Sequence, residues 1–318
     1  MKLDPEIAKA LENPELQRFF TTMRFDSPES LAELRTLRNA RAAELTNTID
    51  RTGVITETRT IDGPAGPMEL RIHRPKNSSG NLPCLYFVHG GGMVIGSPLQ
   101  DDAMHVDYVR TLGCIGVSPR YRLAPEFPAP AAAEDCAAGL AWVATHTAEL
   151  GIDPNRIALG GSSGGAGIAA STALMARDRG TKFSFQFLIY PQLDDRHITP
   201  SAKSDWIGWT REVNIQAWKC VLGDRFGTDR VTGYDAAARA PDLSGLPPTY
   251  IDSSEQEVFR DEDIIYASRL LASGVNTELH IWPGTIHGFD LFAPNATISK
   301  QAMATRKEAL RRAWALPA

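Results

Sequence analysis

The sequence is poor in the features that mark special environments. It holds only four cysteines, Cys84, Cys114, Cys136 and Cys220, none in CxxC spacing, so neither a metal site nor a disulfide framework is indicated. Buried free thiols are expected, with Cys84 and Cys114 in apolar runs that read as neighbouring parallel strands. No apolar run approaches the ~20 residues of a membrane-spanning helix. The start, Met1-Lys2-Leu3-Asp4-Pro5, puts an acid and a proline where a secretory signal needs an apolar stretch. Positive charge is not in excess: 33 Lys and Arg stand against 38 Asp and Glu, a net charge of −5. That leaves no general attraction for nucleic acid or anionic lipid. Internal repeats and low-complexity tracts are absent. These absences predict a cytoplasmic protein with neither nucleic-acid nor membrane partners. What is present is a chain of 318 residues, 43% hydrophobic, ample for one large α/β core.

The rhythm of the chain changes twice. Residues 1–50 read as helices, at 5–12 and 28–46, with many charges and no strand pattern. Two alternating runs, 53–61 and 68–73, follow, and Asp62-Gly63-Pro64-Ala65-Gly66-Pro67 between them predicts an antiparallel hairpin. From residue 82 on, short apolar runs at 84–88, 115–117, 157–159, 185–189, 249–251 and 278–282 alternate with helical stretches. That is the pattern of βαβ units in a mostly parallel, doubly wound sheet. Residues 194–233 break it, with Trp206, Trp209, Trp218 and Phe226 and no strand. Connections this long are commonly lids or binding loops. The expected organisation is cap helices at 1–50, a core at 51–193 and 234–318, and a cap insertion at 194–233.

Two glycine clusters carry the chemistry. His89-Gly90-Gly91-Gly92 follows the run 84–88, and Gly160-Gly161-Ser162-Ser163-Gly164-Gly165 follows the run 157–159. A glycine loop lets the backbone turn N–H groups toward a ligand at close range. A serine between glycines, at a strand-to-helix turn, is how an activated nucleophile is presented. Together they point to acyl transfer. The pattern G-x-S-x-G fits two frames, one centred on Ser162 and one on Ser163, and the motif alone does not choose. A serine hydroxyl needs a base and a third group to orient that base. His287, in Thr285-Ile286-His287-Gly288-Phe289, lies past the last strand run, where such sheets bind ligands. His89 reads as a structural group steadying the glycine loop. The acid should follow the run 249–251, which leaves Asp252, Glu255, Glu257, Asp261, Glu262 and Asp263. Of these, 261–263 read as the solvated first turn of a helix.

Three motifs in order, His89 to Gly92, then Tyr121-Arg122-Leu123-Ala124-Pro125-Glu126-Phe127-Pro128-Ala129-Pro130, then the serine cluster, resemble the bacterial hormone-sensitive-lipase-like family of α/β-hydrolase esterases. The resemblance covers about residues 50–315. It implies an α/β-hydrolase fold with a helical cap. The family elbow Gly-Asp-Ser-Ala-Gly-Gly, laid on this chain, puts Ser163 at the nucleophile and Gly164 beside Gly90 and Gly91 as an oxyanion donor. The family's Asp-Pro-Leu-x-Asp corresponds to Glu257-Val258-Phe259-Arg260-Asp261, which puts Glu257 at the acid position, with Asp261 and Asp252 as alternatives. The 121–130 segment is implied to be structural; its prolines and an Arg122–Glu126 pair suggest a rigid loop.

The resulting expectation is a carboxylesterase acting on small, short-to-medium acyl esters with no cofactor and no metal. Alternatives are an amidase or lactonase of the same fold, or a non-catalytic small-molecule receptor. Met93, Trp206, Trp209 and Phe289, with Phe19 and Phe20, are candidates for the acyl pocket. A homodimer is implied by the resemblance only.

Overall fold

The computed structural model describes residues 2–78 and 80–317. Eight strands form one sheet: β1 Val54–Gly63, β2 Gly66–Pro75, β3 Leu82–Val88, β4 Ile115–Pro119, β5 Ile152–Ser162, β6 Phe185–Ile189, β7 Thr249–Gln256 and β8 Thr277–Ile286. Their order is β1-β2-β4-β3-β5-β6-β7-β8. β1 and β2 form the expected hairpin, β2 pairs antiparallel with β4, and every later pairing is parallel. The helices are α1 Pro5–Ala10, α2 Pro14–Thr22, α3 Pro28–Thr48, α4 Asp102–Leu112, α5 Ala131–Thr145, α6 Thr147–Leu150, α7 Gly164–Arg179, α8 Arg211–Leu222, α9 Arg260–Ala272, α10 Phe289–Phe292 and α11 Thr297–Ala313. The apolar runs are thus strands in place, most of them longer than the runs themselves, while α2 was not anticipated.

Both faces of the sheet are covered, and β3 shows how the sequence achieves it. Cys84, Tyr86 and Val88 face a core shared with α5 and α7, and Leu85 and Phe87 face a second core shared with α4 and α11. A strand buried on both faces must be apolar at nearly every position, and this one is. The three N-terminal helices are started by side-chain caps. Asp4 Oδ1 accepts from the Glu6 and Ile7 N–H groups, Asn13 caps α2, and Ser27 and Ser30 form a capping box on α3.

The strand order turns at β3, with β4 on one side and β5 on the other. A crevice opens beyond the C-terminal ends of the strands at such a point. The candidate residues sit there, each one step past its strand: His89 after β3, Ser163 after β5, Glu257 after β7 and His287 after β8.

Two local expectations are corrected. Arg122 does not pair with Glu126. It makes a bidentate pair with Asp135 at 2.8 Å, while Glu126 pairs with Arg35 of α3 at 2.6 Å. Both partners lie elsewhere in the fold, beyond reach of sequence adjacency. Glu262 and Asp263 do open helix α9, but they are buried, not solvated. Glu262 accepts from the Leu193 and Asp194 N–H groups at 2.7 and 3.2 Å, and so anchors the start of the 194–233 segment.

Candidate active site

Ser163 occupies the turn between β5 and α7 with φ 56° and ψ −126°. That left-handed geometry costs a non-glycine residue about 1–3 kcal/mol, and it holds the side chain out of the turn. The surroundings leave little room for any other turn. A Cβ on Gly161 would lie 2.5 Å from the Gly165 carbonyl carbon, and one on Gly165 would overlap the carbonyl oxygens of Val88 and His89. The glycines therefore let the elbow press against the end of β3. The Ser163 N–H donates to the Ile189 carbonyl at 2.9 Å, tying the elbow to β6 as well.

Ser163 Oγ lies 2.8 Å from His287 Nε2, and His287 Nδ1 lies 2.5 Å from Glu257 Oε2. The sheet explains the second distance. Gln256 and Ile286 are paired across β7 and β8, so the residues that follow them emerge side by side. Glu257 is fully buried, and its other oxygen accepts from Ser253 Oγ at 2.9 Å and the Ser254 N–H at 2.5 Å. Ser254 Oγ also donates to the Ile286 carbonyl at 2.8 Å, bracing the backbone just before His287. The imidazole packs edge-on against Tyr190 and Phe259, at 4.7 and 5.0 Å between centroids. Behind it, buried Arg306 bonds Asp252 at 2.6 Å and also Asp290, three residues past His287.

The other acids are engaged elsewhere. Asp252 accepts from Arg306, Tyr250 and Trp282, and Asp261 accepts from the Ser201 N–H at 2.7 Å; neither contacts His287. Ser162 lines the cavity without a bond to the imidazole.

The glycine loop meets the elbow directly. A Cβ on Gly164 would come 2.7 Å from the Met93 nitrogen, and one on Gly90 would come 2.9 Å from the Ser162 carbonyl oxygen. Among the described residues, the N–H groups of Gly90 and Gly91 have no acceptor. Gly164 opens α7, so its N–H has no partner within the helix. His89 holds the loop from behind. Its Nδ1 sits 3.0 Å from the Gly90 carbonyl, its ring stacks on Tyr121 at 4.2 Å, and burial pushes its pKa down to about 4, which keeps it neutral.

A cavity of about 190 Å³ opens over Ser163. Of the candidate pocket residues, Trp209, Phe19 and Phe20 line it. Trp209 lies over Gly92 so closely that a Cβ there would overlap the indole. Met93, Trp206 and Phe289 do not line it. Met93 faces a separate small cavity beside Phe127, and the Trp206 indole donates to the Ser201 carbonyl under the Arg260 guanidinium. Phe289 is wholly buried with Ile7 and Ile286. The lining also includes Met23, Arg38, Gln100, Tyr190, Leu291 and Phe292, which the sequence did not single out. Tyr190 was within reach, because it is the first residue past β6, with φ 36°. Arg38 was not: a charge on a charged helix reads as a solvated face.

With this geometry in view, the comparisons with known proteins are specific. A family model described as the alpha/beta hydrolase fold matches residues 85–291. Carboxylesterase NlhH of Mycobacterium tuberculosis is 36% identical over 270 residues, 81% of this chain and 82% of its own. Esterase LipI of the same species is 36% identical over 72% of this chain and 73% of its own. Among solved structures, a bacterial heroin esterase superposes with a TM-score of 0.91 at 39% identity, covering 98% of each chain. Esterase LipW of Mycobacterium marinum gives 0.86 at 34% identity, covering 98% of this chain and 96% of its own.

Proposed function

The chain belongs to the hormone-sensitive-lipase-like esterases of the α/β-hydrolase fold and is a carboxylesterase, and from that premise we propose that Ser163, His287 and Glu257 are its catalytic triad. The observation that carries this is the continuous hydrogen-bonded line from Ser163 Oγ through the imidazole to a buried carboxylate.

Ser163 Oγ attacks the ester carbonyl carbon as His287 Nε2 takes its proton. Glu257, held by Ser253 and Ser254, keeps the imidazole in the tautomer that can accept that proton and stabilises the cation that forms. The tetrahedral oxyanion is met by the N–H groups of Gly90, Gly91 and Gly164, each such donor being worth about 2.7–4 kcal/mol. Collapse expels the alkoxide, which takes the proton from His287. Water, activated by the same base, then cleaves the acyl-enzyme.

Residues 1–50 and 194–233 act as a cap. Supporting this, the Phe25 ring lies 5.8 Å from Trp209, and the Phe25 N–H donates to Gln216 Oε1 at 2.9 Å. The enclosed volume suits short-to-medium acyl chains on small esters. A cytoplasmic setting is part of the same reading, since the buried free thiols Cys84, Cys114 and Cys136 suit a reducing compartment.

The test is turnover of p-nitrophenyl butyrate, abolished by one equivalent of a serine-directed phosphonate whose adduct maps to Ser163 by mass spectrometry. A stoichiometric adduct on Ser162, or turnover that persists after labelling, would overturn the assignment.

A further inference from the structure

Arg38 differs from every other residue around the cavity. Apart from the His287 imidazole and the Tyr190 phenol, it is the sole ionisable side chain among the described lining residues, and no carboxylate accompanies it. Among the described residues it has no hydrogen bond and no ion pair; its recorded contact is the Phe19 ring, 5.0 Å from the guanidinium carbon. Arg35, one turn earlier on α3, shows what a structural arginine looks like here. It grips both oxygens of Glu126 and the carbonyls of Val94 and Ala124. Arg38 is half-buried. Burial alone holds its pKa below the ordinary guanidinium value, and no neighbouring acid offsets that.

A half-desolvated cation without a counter-charge is a cost in the empty cavity. A guanidinium presents a planar fork of donors that matches a carboxylate. Arg38, Gln100 and the Ser163 elbow line the same enclosed space, so an anionic group on a bound ester would share it with the reacting carbonyl.

We propose that this esterase is built for esters that carry a carboxylate, which Arg38 binds while Ser163 attacks the ester carbonyl. The proposal rests on the reading of this cavity as the substrate site. It is a statement about substrate charge. The carboxylate can stand on the acyl side, as in half-esters of dicarboxylic acids, or on the alcohol side, as in acyl esters of hydroxy acids.

The experiment is a charge ladder at matched length. On the acyl side, kcat/KM is measured for mono-p-nitrophenyl glutarate, p-nitrophenyl pentanoate and the p-nitrophenyl ester of 4-(trimethylammonio)butyrate. On the alcohol side, 4-acetoxybenzoate is set against phenyl acetate. In one of the two arms the wild type should prefer the carboxylate over the neutral ester by about 10- to 150-fold, the range of a charge-assisted hydrogen bond. The cationic ester should be worst. In Arg38→Met that ratio should fall at least about tenfold, and Arg38→Lys, which keeps the charge without the fork, should fall between. Free glutarate should slow phosphonate labelling of the wild type and not of Arg38→Met, a readout that needs no turnover. No preference in either arm, or the same ratio in wild type and Arg38→Met, would overturn the proposal. If Arg38→Met does not fold, Arg38→Gln and Arg38→Lys are read in the same way. Failure of the cavity reading is distinguishable, since the phosphonate would then stop turnover of the esters without labelling Ser163.

Discussion

The floor and the roof of the active cavity are built on opposite terms. The floor is the C-terminal edge of the sheet. Helix α7, which opens directly after Ser163, buries every residue from Gly164 to Ala176. The roof is α2, α3 and the segment carrying Trp209. Helix α2 buries none of its residues fully, and α3 buries three of twenty-one, Leu31, Leu34 and Ala42. The floor carries the proposed triad, and the glycines of its elbow leave no room for a side chain. The roof lends the cavity Phe19, Phe20, Trp209 and the charge of Arg38, and in the proposed mechanism none of these takes part in the bond-making steps. A fold divided in this way can keep its reaction while changing its substrate.

The largest expected effect probes the floor. Ser163→Ala should lower kcat by about 10⁵-fold or more, because removing the nucleophile disables the other triad members with it. Ser162→Ala should stay within about tenfold of wild type. Steady-state kinetics with p-nitrophenyl butyrate on both variants decides. A dead Ser162→Ala with an active Ser163→Ala would move the elbow by one residue. Next comes Glu257→Gln, which keeps the shape but no longer favours the required tautomer and cation of His287. The comparable change in a serine protease costs ~10⁴ in kcat, and here at least ~10² is expected, with more activity left in Glu257→Asp. Asp261→Asn, whose amide oxygen can still accept from the Ser201 N–H, should lose the ion pair with Arg260 at 2.8 Å and with it some thermal stability, not kcat. The reverse pattern would make Asp261 the acid.

The same division decided what was legible in the sequence. The floor was legible because its geometry demands particular residue types at short spacing. Triple glycine, a serine between glycines and a histidine past the last strand are visible without any tertiary knowledge. The proposed acid was harder. Several carboxylates follow β7, and what separates Glu257 from Asp252 and Asp261 is the company each keeps, Ser253 and Ser254 against Arg306 and the Ser201 backbone. Spacing carries no trace of such partners. The roof was least legible. Aromatic content pointed to Trp206 and Trp209 alike, yet one binds its own loop and the other covers Gly92, since which face of an irregular segment turns inward depends on contacts across the fold. Burial of Glu262 and Asp263 was hidden for a related reason: acids in a first helical turn are as good at a solvated start as at a buried one.

A smaller effect probes the roof. Trp209→Ala or Phe20→Ala should shift the acyl-length profile, because an apolar pocket discriminates by about 1–3 kcal/mol per methylene. The change should appear mainly in KM, measured across p-nitrophenyl acetate to octanoate, while a small phosphonate still labels Ser163 at the wild-type rate. A uniform fall in kcat across all lengths, with slowed labelling, would mean that the roof helps to hold the triad and that the two regions are not separable.

The smallest effect concerns stability and belongs to the floor alone. Asp263 is fully buried, and the charges of Glu257 and Glu262 act on it. Burial first, then the charges of Glu257 and Glu262, push its pKa well above the usual carboxylate value, and burial pushes Glu262 the same way. With a raised folded-state pKa, the native protein holds a proton that the unfolded chain has released. Stability should then fall as pH rises from about 4, the ordinary value, toward the folded pKa. His89 has the opposite sign. Its folded pKa near 4 lies below the ordinary value, so its contribution is intact above about pH 6.5 and is lost as pH falls toward 4. Thermal melts from pH 5 to 8 should therefore show Asp263→Asn, which stays neutral throughout, gaining on the wild type as pH rises. Glu262 leaves part of the slope in place. Phe20→Ala, on the roof, should run parallel to the wild type over the same range. Parallel melts for Asp263→Asn and the wild type would mean that Asp263 is ionised in the native state, and that the floor holds its excess negative charge without a bound proton.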